Sequence, residues 1–367
     1  MHEEYNFEGE RRAFSLGNRG PMSFHVDGTL RADIAEAYWE IGFYVFEDAI
    51  GAGELSELVA DFEQVLARAP VSSTSGTDAS GRPAIGSDLE LTSFRFARPL
   101  SDPYGGTSVS RGRYQAKMVE PEAPDDAPDE VLLNIASPLH LMDSALRMYG
   151  HPDLLRIAEQ INGPDFTPFS ESLWVKHPGW GPSVAWHQDG TTHWDNPALD
   201  DGTHGFNFML QLYGSQPANA LWVVPGTHKL GKIDIKALVA ANGGSDRLPD
   251  AVPMICNPGD VAICNRQVLH GSFANTSPAM RATFVFGFHR RASVLGVQSR
   301  ERGTYDEARI HERSRLIPLA VDARRRRFPN EASYVYGPLE DELDDNRWSD
   351  ATREDVLKNY NLNDLGI

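Results

Sequence analysis

The stretch Arg281–His289, RATFVFGFH, alternates large apolar side chains with other residue types. Because successive side chains of a β-strand point to opposite faces, the three phenylalanines of this stretch are predicted to share one buried face. Arg281 and Thr283 then share the opposite face. The pattern predicts a strand that packs on a core with one face and lines a cavity with the other.

Short runs of the same kind recur over residues 169–290, and glycines and prolines separate them. They are found at residues 173–175, 206–212, 221–224 and 261–264. Closely spaced short strands with turn residues between them predict an antiparallel sandwich or barrel. The predicted fold is therefore mainly β, with this region as its core.

Helical patterns precede the predicted strands and dominate residues 1–168. Apolar residues recur at helical spacing over three segments, 30–40, 54–68 and 138–160. A short strand is predicted over 42–46, and the polar, glycine-rich residues 1–28 are expected to form an arm. The core is thus expected to carry a helical jacket.

Two loops and a tail complete the predicted organisation. Residues 71–86 are rich in Ser, Thr and Gly, and residues 120–130 alternate acids with Pro and Ala. Each of these loops is expected to be a lid or a solvated insertion. Residues 291–367 are expected to form a helical extension with an arginine run at 324–327. Since barrels with helical jackets commonly exceed the usual domain length, residues 1–367 are predicted to form one domain.

The charge balance disfavours two classes of partner. The chain of 367 residues has 34 Lys+Arg and 52 Asp+Glu, a formal net charge of −18, which repels nucleic acid and anionic membrane surfaces. The first residues carry acids, and no run of about 20 apolar residues follows. We expect a cytoplasmic protein that binds neither nucleic acid nor membrane.

A metal site is indicated by the segment Trp186-His187-Gln188-Asp189 and by a distant histidine. Residues two apart on a strand face the same way, so His187 and Asp189 are predicted to point into one cavity. His270 lies 81 positions after Asp189, and in a closed barrel such a strand can lie opposite the first. Two histidines and one carboxylate form the ligand set of mononuclear non-haem Fe(II) oxygenases.

The order of several motifs resembles the phytanoyl-CoA dioxygenase family of Fe(II)/2-oxoglutarate-dependent dioxygenases over about residues 30–289. The motifs are KHPG (176–179), WHQD (186–189), VPGTHK (224–229), PGD (258–260), HGS (270–272) and Arg281. The resemblance implies a double-stranded β-helix, a cupin-like jelly roll with the iron site in residues 169–290.

The resemblance also implies the chemistry. His187, Asp189 and His270 would bind Fe(II), and Arg281 with Ser272 would hold the far carboxylate of 2-oxoglutarate, since a guanidinium matches a carboxylate. Together with O₂, 2-oxoglutarate would be converted to succinate and CO₂ while a C–H bond is hydroxylated or otherwise oxidised. Relatives that halogenate have a small residue in place of the carboxylate, and Asp189 is present here.

Two further residues are candidate contacts of cofactor or substrate. Lys176 would help to hold an anionic group, or would be structural. Asn207 would point into the cavity, although buried structural amides are about as common. Two other functions stay open: a non-catalytic metal- or ligand-binding member of the same fold, and a cupin-type metalloenzyme that does not use 2-oxoglutarate.

The sequence leaves the small-molecule substrate open, because the family implied by the resemblance accepts chemically diverse compounds. The oligomeric state is open as well, between a monomer and a homodimer.

Overall fold

Two β-sheets carry the fold in a computed structural model, which describes residues 2–90, 92–190, 194, 204–298, 303–358 and 360. The strands of this described part are β1 Arg19–Pro21, β2 Phe43–Glu47, β3 Phe94–Ala97, β4 Val131–Ile135, β5 Thr167–Lys176, β6 Val184–His187, β7 Gly205–Gln211, β8 Trp222–Val224, β9 Val252–Pro253, β10 Val261–Asn265, β11 Leu269–Ser272 and β12 Arg281–His289. The large sheet has the order β1-β2-β10-β7-β12-β5-β4-β3, and the small sheet has the order β6-β11-β8-β9. All neighbouring strands are antiparallel except β1 and β2. The predicted mainly β jelly-roll core is confirmed.

Helices precede, interrupt and follow the strands along the described chain. They are α1 His2–Ser15, α2 Ala32–Ile41, α3 Ala52–Arg68, α4 Pro138–Leu141, α5 Asp143–Tyr149, α6 Pro152–Asn162, α7 Ile235–Ala241, α8 Arg291–Val294, α9 Glu307–Ser314, α10 Leu316–Arg327 and α11 Asp350–Leu357. Helices α2 and α3 and strand β2 lie where the sequence predicts them. The predicted pattern over 138–160 corresponds to three shorter helices.

Strand β12 contacts the helical jacket with one face and the interior of the barrel with the other. Its side chains Phe286 and Phe288 are fully buried, and Tyr149 of α5 lies over them with ring centroids 5.4 and 5.2 Å apart. Burial of each such ring stabilises the fold by roughly 1.5–3 kcal/mol. The opposite face of β12 lines a cavity between the sheets, as its alternating sequence predicts.

The N-terminal segment differs from the predicted arm. Residues 2–15 form helix α1, which packs against the edge strand β9 of the small sheet. The Tyr5 ring stacks on Trp222 with centroids 4.6 Å apart, and a Cβ on Gly9 would come within 2.5 Å of the same indole. Helix α1 thus covers an edge that would otherwise expose unpaired backbone groups.

The two long loops lie outside the cavity lining. No residue of 71–86 or 120–130 belongs to the described lining. Loop 71–86 is held by Asp78, whose buried carboxylate accepts hydrogen bonds from Arg68 and Arg82. The lining instead includes part of the segment 98–119, between β3 and the second loop.

The C-terminal extension is packed onto the rest of the chain. Arg324 of α10 is 4% exposed and forms ion pairs with Glu54 of α3 and with Glu331, each at 2.5 Å. The arginine run is therefore paired with acids, and one of its members is buried. That residues 1–367 form one domain stays a prediction.

In the described part of the chain, no helix has the length and apolar character that crossing a membrane requires.

Candidate metal centre

A cavity of about 100 Å³ lies between the two sheets. Its polar lining consists of Arg113, Tyr114, His187, Asp189, Asn207, Gln211, His270, Ser272, Arg281 and Thr283. Its apolar lining consists of Trp174, Val184, Met209, Leu221 and Val285. A cavity of this size and polarity accommodates several water molecules or a small polar ligand.

The predicted ligand triad converges in this cavity. One potential ligand atom from each of His187, Asp189 and His270 lies within 4.8 Å of the other two, and all three side chains are buried. The histidines face each other across the β6–β11 pair, with ring centroids 4.1 Å apart. Strand β6 ends at His187, so Asp189 follows the strand, where its N–H donates to the carbonyl oxygen of Arg266 at 2.8 Å.

Backbone carbonyls orient both imidazoles. Nδ1 of His187 lies 2.7 Å from the carbonyl oxygen of Ala185, and Nδ1 of His270 lies 2.9 Å from that of Val268. Because a carbonyl oxygen only accepts, each Nδ1 carries the proton and each Nε2 presents a lone pair. Such contacts at the second ring nitrogen fix the orientation of metal-binding histidines.

The electrostatics of the cavity suit metal binding. Burial lowers the pKa of His187 well below its usual range, and His270 and Arg113 lower it further. Burial also lowers the pKa of His270, although Asp189 opposes the shift. Burial alone would raise the pKa of Asp189, but electrostatic interactions with His270, Arg266 and Arg113 outweigh it, so the pKa is lowered. Neutral imidazoles and an ionised carboxylate are the protonation states that bind a metal.

Asn207 contacts the candidate ligand Asp189. Its Nδ2 donates to Oδ2 of Asp189 at 2.8 Å, while Oδ1 of Asp189 lies 3.6 Å from Nε2 of His187. Gly287 makes room for the amide, because a Cβ there would come within 2.3 Å of Oδ1 of Asn207. Asn207 therefore orients the carboxylate, and its predicted contact with cofactor or substrate stays a prediction.

Arg281 presents a buried cation to the cavity. The residue is 5% exposed, and its Nε has no hydrogen-bond partner among the described residues. Burial lowers the pKa of Arg281 to about 10. Ser272 and Thr283 line the same cavity and offer hydroxyl groups. A buried guanidinium without a partner is costly unless an anion binds it.

Of the two alternatives for Lys176, an anion contact or a structural lysine, its contacts fit the structural one. It is buried but outside the lining, and its Nζ donates to the carbonyl oxygens of Pro182 and Phe273 at 2.5 Å and of Ser272 at 3.4 Å. The three donors of the ammonium group are thus directed at backbone oxygens at the end of β5. Strand parity alone could not reveal these oxygens, because they come from other segments.

Sequence reasoning missed Arg113 and Tyr114, which line the cavity from the segment between β3 and β4. Nη1 of Arg113 lies 3.4 Å from Oδ1 of Asp189, and its Nη2 donates to the Tyr114 hydroxyl at 2.8 Å. The Tyr114 ring lies 4.7 Å from that of His187. No periodic pattern marks a residue that enters a site from an irregular segment.

The described residues fit both Fe(II) and 2-oxoglutarate. Two imidazole nitrogens and one carboxylate with an open side form the donor set of non-haem Fe(II) sites. The guanidinium of Arg281, whose Nε has no hydrogen-bond partner among the described residues, fits a carboxylate of the co-substrate.

Comparison with known proteins places this site in a family. The family model described as Phytanoyl-CoA dioxygenase (PhyH) matches residues 38–283, which include the triad and Arg281. Phytanoyl-CoA dioxygenase 1 of Oryza sativa subsp. japonica is 29% identical over 119 residues, which cover 30% of this chain. The match spans 41% of the length of that relative.

One solved structure supports the fold, and a second is similar to part of the chain. EctD from S. alaskensis with 2-oxoglutarate and 5-hydroxyectoine has a TM-score of 0.51 at 18% identity, covering 79% of this chain and 90% of that one. AviO1 from Streptomyces viridochromogenes has a TM-score of 0.47 at 19% identity, covering 71% and 94%.

Proposed function

This chain belongs to the phytanoyl-CoA dioxygenase family, and on that premise we propose that it is an Fe(II)- and 2-oxoglutarate-dependent dioxygenase of a small molecule. The observation that carries the proposal is one cavity that contains both the triad and the buried Arg281, whose Nε has no partner in the described part of the chain. A metal site alone would also suit a binding protein or a cupin-type enzyme. The buried cation beside it supports an enzyme with an anionic co-substrate.

Each residue has a defined part in this proposal. His187, Asp189 and His270 hold the ion from one side, and Asn207 keeps the carboxylate oriented. Arg281 binds the far carboxylate of 2-oxoglutarate, with Ser272 as an additional hydrogen-bond donor.

The bound Fe(II) would supply O₂ activation coupled to conversion of 2-oxoglutarate to succinate and CO₂, with hydroxylation of a substrate C–H bond as the outcome. The apolar lining limits the access of water to the reacting groups. None of the described side chains of the lining has to act as an acid or a base in this reaction.

The test is an anaerobic titration. Protein with Fe(II) and 2-oxoglutarate should develop a visible charge-transfer band, and admission of O₂ should produce succinate. The variant His270→Ala should lose the band, while His311→Ala, at an exposed histidine in α9, should keep it.

Two outcomes would contradict the proposal. Absence of the band in protein that demonstrably binds the metal would indicate a binding module. Substrate turnover that needs no 2-oxoglutarate and survives Arg281→Ala would indicate a cupin-type enzyme.

A further inference from the structure

The charges of the described lining residues would not cancel in the presence of Fe(II) and 2-oxoglutarate. Among these residues Arg113 and Arg281 are cationic and Asp189 is anionic, while His187 and His270 would each bind the ion as a neutral imidazole through the Nε2 lone pair. A divalent ion and the dianion of 2-oxoglutarate cancel each other, so one positive charge is left over among the described groups. An uncompensated charge in a largely buried site is unfavourable.

Arg113 is the cation whose anionic partner is also a candidate metal ligand. Its Nη1 lies 3.4 Å from Oδ1 of Asp189, the carboxylate oxygen closer to His187. Asn207 donates to Oδ2, and a metal held by this triad would share the Asp189 carboxylate with both Asn207 and Arg113. The Nε of Arg113 is buried and has no hydrogen-bond partner in the part of the chain that the structure describes.

The segment that carries Arg113 holds it in place. The buried carboxylate of Asp102 accepts hydrogen bonds from the backbone N–H groups of Gly105 and Met118 at 2.9 and 2.8 Å. Ser110 and Arg111, immediately before Gly112, have positive φ values of 48° and 55°. Non-glycine residues take this conformation at a cost, which the surrounding contacts offset.

The exposure of the two arginines places them at different depths. Arg113 is partly exposed, with 23% of its side chain accessible, whereas Arg281 is buried. The Tyr114 hydroxyl accepts a hydrogen bond from Nη2 of Arg113, and Tyr114 itself is buried.

We infer that Arg113 binds an anionic group of the primary substrate, so that the substrate is a small molecule with a carboxylate. This inference rests on the proposed function. One carboxylate supplies the missing negative charge, and the guanidinium donors of Arg113 match its two oxygens. The anion would anchor the substrate beside the metal ligands His187 and Asp189.

The probes are short straight-chain monocarboxylic acids and their neutral amides of equal length. They are added anaerobically to protein loaded with Fe(II) and 2-oxoglutarate, and the charge-transfer band and the melting temperature are recorded. The acids should bind the unmodified protein in preference to the amides. Arg113→Gln should weaken acid binding by about 10- to 100-fold, Arg113→Lys should weaken it less, and the exposed Arg111→Gln should leave it unchanged.

A second readout uses Fe(II) alone. If Arg113 competes with the metal for Asp189, Arg113→Gln should bind Fe(II) at least as tightly as the unmodified protein. If Arg113 only positions Asp189, the same variant should bind Fe(II) more weakly, which would overturn the inference.

Several other outcomes of the binding experiments would contradict the assignment of Arg113 to the substrate. Equal binding of acids and amides, no binding of acids to the unmodified protein, or acid binding that persists in Arg113→Gln would each refute the inference. Loss of the 2-oxoglutarate band in Arg113→Gln would assign Arg113 to the co-substrate instead. Absence of the band in metal-loaded unmodified protein would be a failure of the proposed function.

Discussion

Arg281 combines a cost to stability with a role in binding. Its guanidinium is buried, and its Nε has no partner among the described residues. We expect Arg281→Met to stabilise the ligand-free protein by about 1–3 kcal/mol, because an apolar side chain of similar length needs no counter-ion. The same variant should bind 2-oxoglutarate about 10- to 100-fold more weakly, because it lacks the charged hydrogen bonds.

Urea unfolding and the charge-transfer titration measure these two effects separately. The exposed Arg98→Met serves as control and should change neither. A destabilised Arg281→Met protein would show that the arginine has a structural partner that outweighs its burial.

Gly287 lies behind the metal ligands and has no side chain of its own. A Cβ there would come within 2.3 Å of the Asn207 amide oxygen, so Gly287→Ala should displace Asn207 from Asp189. We expect Fe(II) affinity to fall by about 10- to 100-fold, as for other losses of a contact to a metal ligand. Calorimetric titration checks this, with Gly53→Ala in α3 as a control that meets no neighbouring atom.

The site was predictable where it lies on regular strands. The alternation of β12 put Arg281 toward the cavity, and the spacing of His187 and Asp189 put both side chains together although β6 ends between them. Arg113 was not predictable, because its position depends on hydrogen bonds to Asp102 from an irregular segment. Lys176 had the correct parity but meets carbonyl groups that only the folded chain brings together.

At the level of elements, the junction between α5 and α6 contains a buried histidine. Burial lowers the pKa of His151 to about 3, and the charges of Arg324 and Arg156 add to the shift. Because this pKa lies below the unfolded value of about 6.5, the contribution of His151 to the free energy of unfolding is fully present above pH 6.5. That contribution is lost progressively as the pH falls from 6.5 toward 3.

Replacing His151 should therefore flatten the pH dependence of stability. Between pH 8 and pH 5 the free energy of unfolding of the unmodified protein should fall by about 2 kcal/mol more than that of His151→Gln. This difference follows from about 1.4 kcal/mol per pH unit below pH 6.5. Urea unfolding at the two pH values measures the difference, with His25→Gln at an exposed site as control. Equal pH profiles for the unmodified protein and His151→Gln would refute the expectation.

Elements with one clear periodicity were predicted, and those made by tertiary contacts were not. Helices α2 and α3 have apolar stripes that indicate their burial from sequence alone. Helix α1 contains Gly9 and many charges, which suggested an arm. Its glycine is instead required by the close approach of Trp222, a residue more than 200 positions away.

At the scale of the whole molecule, Arg324 links the C-terminal extension to helix α3 through an ion pair with Glu54. Arg324 is buried between Glu54 and Glu331, so Arg324→Met leaves two acids without their partner. We expect a loss of about 3–5 kcal/mol of unfolding free energy. Arg326→Met, on the same helix but 56% exposed, should cost about 1 kcal/mol or less.

Denaturant unfolding followed by both fluorescence and circular dichroism tests this and the single-domain prediction. Coincident transitions that shift together in Arg324→Met would support one cooperative unit. A separate early transition confined to the variant would indicate that the extension unfolds by itself.

The two histidines belong to the small sheet, whereas Arg281 belongs to the large sheet. Bound metal should therefore slow amide hydrogen exchange mainly along β6 and β11, where the backbone holds both imidazoles. Addition of 2-oxoglutarate should extend the protection to β12, because the co-substrate is held by groups on both layers. A deuterium-uptake experiment would then show, strand by strand, which of the two ligands has bound. The experiment does not require that the substrate is known.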